Sequence, residues 1–171
     1  DAAGLAVSSR LDAQIKRLDA ALNNVVNAVS FTQTQDGFLK TIDSAFRRMS
    51  ELAMLAQDTT KSQADRVLYN QEFSQLKEYV KSTAGKDFNA VSLFASASFA
   101  VTIDSEGGTF DIPPIDLGTA TYANATSPGV GLNSLSEAQG ALAAVKLAIN
   151  QIALDRAKLG AVQSRLNFTN D

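Results

Sequence analysis

The acidic side chains that could support catalysis in this sequence lie in predicted turns. Two pairs of carboxylates, Asp104 with Glu106 and Asp111 with Asp116, could in principle divide general acid and general base roles. Because all four lie at a predicted turn or loop, we interpret them as solvated carboxylates. The nearby glycine-rich stretches EGG and SPGVG lack the GxxxxGK[ST] and GxGxxG spacings that hold phosphate groups. These residues therefore predict no active site.

The 171-residue chain contains neither histidine nor cysteine. It therefore lacks the commonest general base and transition-metal ligand, and disulfides, zinc thiolate sites and thiol catalysis are excluded. Arg47 and Arg48 form a short basic spot, but the formal net charge is −3 and no basic cluster is dense enough to follow a phosphate backbone. No apolar run approaches the length of a membrane span. We expect a protein that is not an enzyme, holds no metal or cofactor, and neither binds nucleic acid nor inserts into a membrane.

The first third of the chain predicts one very long helix. No proline occurs from Ala3 to about Gln57, and apolar residues recur at steps of three and four. The polar stretch FTQTQDGF, which contains Gly37, predicts a shift of register or a bend. A helix of this length is typical of coiled-coil packing. The two predicted apolar stripes are Leu11, Ile15, Leu18, Leu22, Val25 and Val29, and then Phe38, Ile42, Ala45, Met49, Leu52 and Ala56.

A second helix, a hairpin and a loop are predicted next. Ser62 followed by Asp65 has capping-box spacing, and the helix runs to about Ser82 with Tyr69, Phe73, Leu76 and Val80 on one face. Gly85 suits a left-handed C-cap. Period-two alternation on either side of DSEGGT predicts a β-hairpin from Phe99 to Ile112, which we expect to be peripheral to the fold. The stretch DLGTATYANATSPGVG is predicted to be loop.

The last helix begins near Ser134 or Ser136 and keeps heptad spacing, which places Arg156 and Gln163 on its seam. Its Gly160 is unexpected, because glycine costs a helix interior about 1 kcal/mol relative to alanine. With Ala157 and Ala161, Gly160 makes a flat patch for close helix packing. Either a helix of another molecule or one of the chain's own helices could use this patch.

The predicted fold is mainly α, an elongated bundle of long coiled-coil-like helices with a small β-hairpin at one end. We divide the chain into an N-terminal part with two helices (1–94), the hairpin and loop (95–131), and the C-terminal helix (132–171). Together they form one domain.

Four stretches, in order and at matching intervals, resemble bacterial flagellin. They are DAAGLAVSSRLDAQIKRLDAALNN, RRMSELAMLAQDTT, KDFNAVSLF and LDRAKLGAVQSRLNFTND. They are similar to the family's DDAAGLAI and AQI-x-x-L segment, its QRxRELAVQAxNxT block, its TEFNGxKLL and its SxRAxLGAxQNRLEHTINN. In this chain Ser50 replaces a basic residue, the spacing before the FN pair is one residue shorter, and the outer region is reduced to about Ala95 to Gly131.

The resemblance implies a structural subunit that self-assembles into the flagellar filament and serves motility. It implies secretion, with other subunits, an export chaperone and a filament cap as partners. It also implies that both ends of the chain are cut within helices that continue into the filament core. A hook–filament junction protein and a non-flagellar helical adaptor are the alternatives.

The resemblance also implies recognition by the innate-immune Toll-like receptor for flagellin. In the family, that receptor contacts an exposed patch on the first core helix and a carboxylate on the second. The matching positions are Arg48, Leu52 and Glu72, and all three residue types are retained. The same residues could instead serve packing between subunits.

Overall fold

The computed structural model describes residues 2–170, with side-chain environments for residues 4–169. Asp1 and Asp171, at the outer ends of the terminal motifs, lie outside the described residues. α1 alone is 55 residues long, which corresponds to roughly 80 Å. The prediction of a mainly helical, elongated fold with a small hairpin is confirmed. The elements are α1 (Ala2–Ala56), α2 (Gln63–Ala84), β1 (Asp87–Phe88), β2 (Val91–Ser92), β3 (Phe99–Thr102), β4 (Thr109–Ile112), α3 (Ala120–Thr126) and α4 (Leu135–Asn170).

α1 packs against α4 along one continuous heptad seam. Its buried residues alternate in steps of three and four from Ala21 to Ala56, and Thr32 and Gln35 lie within the seam. The predicted shift of register at FTQTQDGF is therefore wrong. A second row on the same helix is also covered, because α2 and the hairpins pack on it. The apolar pattern of the sequence combines these two rows. The row against α4 consists of Ala21, Val25, Ala28, Thr32, Gln35, Leu39, Ile42, Phe46, Met49, Ala53 and Ala56. The second row consists of Phe31, Phe38, Ala45 and Leu52.

The seam of α4 differs from its prediction by one residue at alternate positions along the helix. In the N-terminal half Ala141 and Ala148 are buried where the heptad pattern predicts Leu142 and Ile149, which are half-buried. Asp155 and Val162 are buried in the seam, whereas Arg156 and Gln163 are half-buried at its flank. Arg156 reaches across to α1, where its Nε donates to Asp36 Oδ1 at 2.8 Å. An arginine can do this from the flank because its long side chain packs its methylenes while its charge stays near water.

The ends of α2 show one prediction confirmed and one wrong. The side chain of Ser62 accepts from the Asp65 N–H, and the Asp65 carboxylate accepts from the Ser62 N–H, which completes the capping box. At the other end Gly85 has φ −91°, so it is not a left-handed cap. The left-handed residues are Asn89 at φ 49° and Ala90 at φ 62°, which form the two-residue turn between β1 and β2.

Ala90→Gly is expected to raise the free energy of unfolding by about 1 kcal/mol, because a left-handed backbone is strained for alanine and free for glycine. Chemical denaturation measures this change. The control is Ala100→Gly in strand β3, where no left-handed conformation exists and glycine should destabilise by about 0.5–1 kcal/mol. Destabilisation by both substitutions would contradict the strain at Ala90.

The hairpin of β3 and β4 belongs to the core, so the expectation that it is peripheral is wrong. Ile112 is 2% exposed and packs in one cluster with Val25 and Leu166 from the two long helices. The guanidinium of Arg165 also lies 4.2 Å from the centre of the Phe110 ring. Short strands join the core here because both helices present small or aliphatic residues toward them.

The predicted loop after the hairpin contains the short helix α3. Its Tyr122 is 1% exposed, stacks on Phe46 and donates through its hydroxyl to Asp155 Oδ2 at 2.7 Å. The Asp155 carboxylate also accepts from Gln151 Nε2 at 2.9 Å. The buried acid in the seam of α4 therefore has a partner on α3.

Three residues of α2 at intervals of seven, Gln63, Asn70 and Lys77, form hydrogen bonds to the segment that leads into α4. Gln63 donates to the carbonyl of Asn133, and the Asn70 side chain accepts from the Leu132 N–H. Lys77, 6% exposed, donates to the carbonyls of Ser127 and Val130. Burial lowers the pKa of the Lys77 ammonium. All of these contacts are to main-chain atoms.

Stability is expected to fall above pH 10 because of Tyr122. Burial, and then the hydrogen bond to Asp155, raise the pKa of this phenol well above its ordinary value of 10.0. Below pH 10 the phenol is protonated in both folded and unfolded chains. Above it the unfolded chain loses the proton first, which costs up to about 1.4 kcal/mol of stability for each pH unit.

Denaturation between pH 8 and 12 measures this slope for the wild type and for Tyr122→Phe. The variant lacks the phenol and should show a smaller loss, whereas Tyr79→Phe, at an exposed position, should keep the wild-type slope. Equal slopes for Tyr122→Phe and wild type would contradict the assignment.

Candidate functional site

One face of α4 is a heptad row that no other described element covers. We call this row the α4 outer row. All nine residues are exposed and uncharged, and the large ones are Leu147 at 61%, Leu154 at 58% and Phe168 at 80% exposure. The residues are Gly140, Ala143, Leu147, Asn150, Leu154, Ala157, Ala161, Ser164 and Phe168.

Ala157, Gly160 and Ala161 are exposed on and beside this row. A Cβ added at Gly160 would meet no atom within 4 Å. The interpretation that the chain's own helices use the patch is therefore wrong, and close packing at Gly160 stays a prediction about another molecule.

The spacing of the α4 outer row determines what can cover it. Apolar residues at alternating steps of three and four form the surface into which the side chains of a second helix insert. An exposed, uncharged and mainly apolar row of this kind marks an interaction surface, and small residues let the two backbones approach closely. The row runs over 29 residues of helix, or roughly 40 Å.

The first turns of α1 form a second uncovered surface. Every residue from Gly4 to Ala20 is exposed. Arg17 touches another element, since its Nε donates to the Ser105 carbonyl in the hairpin turn at 2.9 Å. The predicted stripe over Leu11, Ile15 and Leu18 is therefore not covered within the described chain.

Arg48 and Glu72 are brought together on the surface between α1 and α2. Arg48 Nε lies 2.6 Å from Glu72 Oε1, and Arg48 Nη1 lies 2.7 Å from Glu51 Oε2. The hydrogen bonds to Glu72 and Glu51 raise the pKa of Arg48, and the Arg48 bond lowers the pKa of Glu72. Leu52 does not join them. It is 1% exposed and lies in the core, so its assignment to an exposed patch is wrong.

Two of the four acids singled out in the sequence, Asp104 and Asp116, accept hydrogen bonds from nearby main-chain groups. Asp104 Oδ1 accepts from the N–H groups of Glu106 and Gly108, and Asp116 Oδ1 accepts from the N–H of Gly118. Within residues 2–170 no group of three or more acidic side chains is placed to hold a metal ion. None of the helices in this part of the chain is long and apolar enough to span a membrane.

A family model, the bacterial flagellin N-terminal helical region, matches residues 1–98, which is more than half of the chain. The chain belongs to the bacterial flagellin family. Flagellins are structural proteins.

Two flagellins and a filament core protein match over nearly the whole chain. A flagellin from Halalkalibacterium halodurans is 31% identical over 173 residues, covering 99% of this chain and 63% of its own length. A flagellin from Listeria innocua is 33% identical over 98% of this chain and 64% of its own length. A flagellar filament core protein from Brachyspira hyodysenteriae is 30% identical over 99% of this chain and 65% of its own length. The chain thus spans slightly less than two thirds of these relatives.

The fold is also that of a solved flagellin. The crystal structure of Bacillus cereus flagellin superposes with a TM-score of 0.77 and 26% identity, covering 87% of each chain. This likeness supports the arrangement of long helices on which the uncovered surfaces of the flagellin chain lie.

Proposed function

We propose that this chain is the helical core of a subunit that self-assembles into the bacterial flagellar filament, is secreted, serves motility and has no enzymatic activity. The observation that carries the proposal is the α4 outer row, an uncharged heptad surface exposed along its whole length. In water such a row is unfavourable unless a second helix covers it. Membership of the flagellin family indicates that the covering molecule is another subunit.

The assembly we propose is heterologous. The α4 outer row of one subunit contacts a different surface of its neighbour, so repeating the contact produces an open helix and no closed ring. α1 is long enough, at 55 residues, to make each subunit a stiff rod within that helix. The exposed first turns of α1 supply a further surface for burial between subunits. Secretion with an export chaperone and a filament cap as partners follows from the same proposal.

Electron microscopy of the polymerised full-length protein that contains this chain tests the proposal. We expect long filaments of constant diameter. A short ring or collar on hook ends would favour the alternative of a hook–filament junction protein. A persistent monomer that binds a single helical peptide would favour the non-flagellar adaptor. Either of these results contradicts the filament proposal.

We further propose that Arg48 and Glu72 contribute to recognition by the Toll-like receptor for flagellin, with Leu52 excluded. The supporting observation is that the two side chains form one surface ion pair, 42% and 46% exposed. Arg48→Asp places two carboxylates opposite each other and should weaken receptor binding about tenfold or more. The control is Arg47→Asp, one residue away and exposed, which should bind as the wild type does. Equal binding by both variants would contradict this role.

A further inference from the structure

A groove of about 420 Å³ lies between α1 and the two hairpins. Its floor is aromatic, because the Phe31 ring makes edge-to-face contacts with Phe88 at 5.9 Å and with Phe99 at 5.2 Å. Every residue that lines the groove is uncharged, and none of them belongs to the α4 outer row. Binding here would therefore not occupy the α4 outer row.

Strand β3 presents a free edge to this groove. The Ile103 N–H donates to the Gly108 carbonyl at 2.9 Å. Together with the register of the hairpin, this bond determines which residues of β3 direct their main-chain groups toward β4 and which direct them away. In an antiparallel pair with this register, the N–H and C=O groups of Ala100 and Thr102 point away from β4. Both residues line the groove. Within residues 2–170, β3 pairs with β4 and with no other strand.

We propose that the groove binds an extended, uncharged peptide segment of a partner protein as a third strand on the free edge of β3. The outward main-chain groups of Ala100 and Thr102 are two residues apart, a spacing that matches the N–H and C=O groups of another extended chain. The aromatic floor favours apolar side chains at every second residue of that peptide. A charged side chain would lose its hydration in a groove that offers it no opposite charge.

The hairpin itself offers a matched pair of variants. Thr102 and Thr109 face each other in the register of the hairpin, and the N–H of each points away from the partner strand. Thr102→Pro removes a donor from the edge that borders the groove. Thr109→Pro removes the equivalent donor from the opposite edge. Neither substitution removes a bond of the β3–β4 ladder, and proline is tolerated at such edge positions.

The probe is a fluorescently labelled, capped peptide of sequence SFAVTI, the uncharged and alternating sequence of residues 98–103. We expect saturable binding to the wild type and to Thr109→Pro, measured by fluorescence anisotropy. Thr102→Pro should bind about tenfold more weakly, as expected for the loss of main-chain hydrogen bonds. Nuclear magnetic resonance should show shifts of the wild-type amides centred on Ala100 and Thr102.

A second form of the peptide, N-methylated at alternate amides, needs no change in the protein. It keeps the side chains but cannot donate to the edge, so it should also bind about tenfold more weakly. The proposal is overturned by no saturable binding to the wild type, by equal binding of the two peptides, or by amide shifts centred elsewhere. Dimerisation of the wild-type chain that Thr102→Pro abolishes would assign the edge to a second copy and would also overturn it.

Discussion

Gly160→Leu will stop filament growth without lowering the melting temperature of the subunit. Gly160 is exposed, and a Cβ added there meets no atom within 4 Å beyond the adjoining backbone of α4, so a larger side chain can point into solvent in the monomer. In an assembly that packs a second helix on the α4 outer row, the added leucine separates the two backbones. Overpacking of this kind costs typically about 1–3 kcal/mol at each contact, and a filament repeats the contact at every subunit.

Gly160→Ala is the matched control. Alanine should raise the stability of the helix by up to about 1 kcal/mol and should impair assembly far less than leucine does. Light scattering during polymerisation and thermal denaturation of the monomer measure the two effects separately. If Gly160→Leu polymerises at the wild-type rate, the glycine has no role in subunit contact.

Leu52→Ala is expected to lower the free energy of unfolding by about 2–5 kcal/mol. The side chain is 1% exposed and belongs to the main hydrophobic cluster, so its removal leaves a cavity between α1 and the elements that cover it. Denaturation by guanidinium measures this loss directly.

Leu55→Ala, three residues further along α1, is the control. Leu55 is 37% exposed, so the same truncation there should cost less than about 1 kcal/mol. A small effect of Leu52→Ala, similar to that of Leu55→Ala, would return Leu52 to the surface and restore its assignment to the receptor patch.

The sequence predicted those features that local chemistry determines. The capping box at Ser62 and Asp65 formed as expected, since its donors and acceptors lie within one turn. The hairpin also formed between the predicted residues, because the glycine turn and the alternation are local signals. The extent of each long helix was likewise evident from its uninterrupted periodicity.

The errors arose where two partners share one helix. α1 buries one row of residues against α4 and another against α2, so apolar residues occupy more than one face of the helix. A single stripe drawn through all of them passes from one row to the other, which looks like a shift of register. The family resemblance placed Leu52 in an exposed patch, whereas the apolar stripe of α1 already included it, and the structure agrees with the stripe. The predicted seam placed Arg156 where Asp155 is buried, because the burial of Asp155 depends on a hydrogen bond from Tyr122, which lies on α3.

The sequence indicated which residues of α4 are suited to close packing, but it could not show which molecule packs against them. The small residues around Gly160 indicated close packing, and exposure in the structure showed that the chain itself does not use them. Composition could not distinguish an inner from an outer seam, because both rows of α4 are rich in small and aliphatic residues at heptad spacing. The sequence contains no indication of the free edge of β3, because a strand has a free edge only when no second neighbour pairs with it in the folded chain.

The contact between Asp36 and Arg156 joins residues 120 positions apart, and the two helices that carry it lie at opposite ends of the chain. Contacts of such long range slow folding relative to helical proteins built from neighbouring segments. During synthesis at about 5–20 residues per second, roughly 6–24 s separate the emergence of Asp36 from that of Arg156. Throughout that interval its seam is exposed to water and to other nascent chains. A molecule that binds the newly made chain therefore encounters the exposed seam of α1 before α4 has been synthesised and can cover that seam.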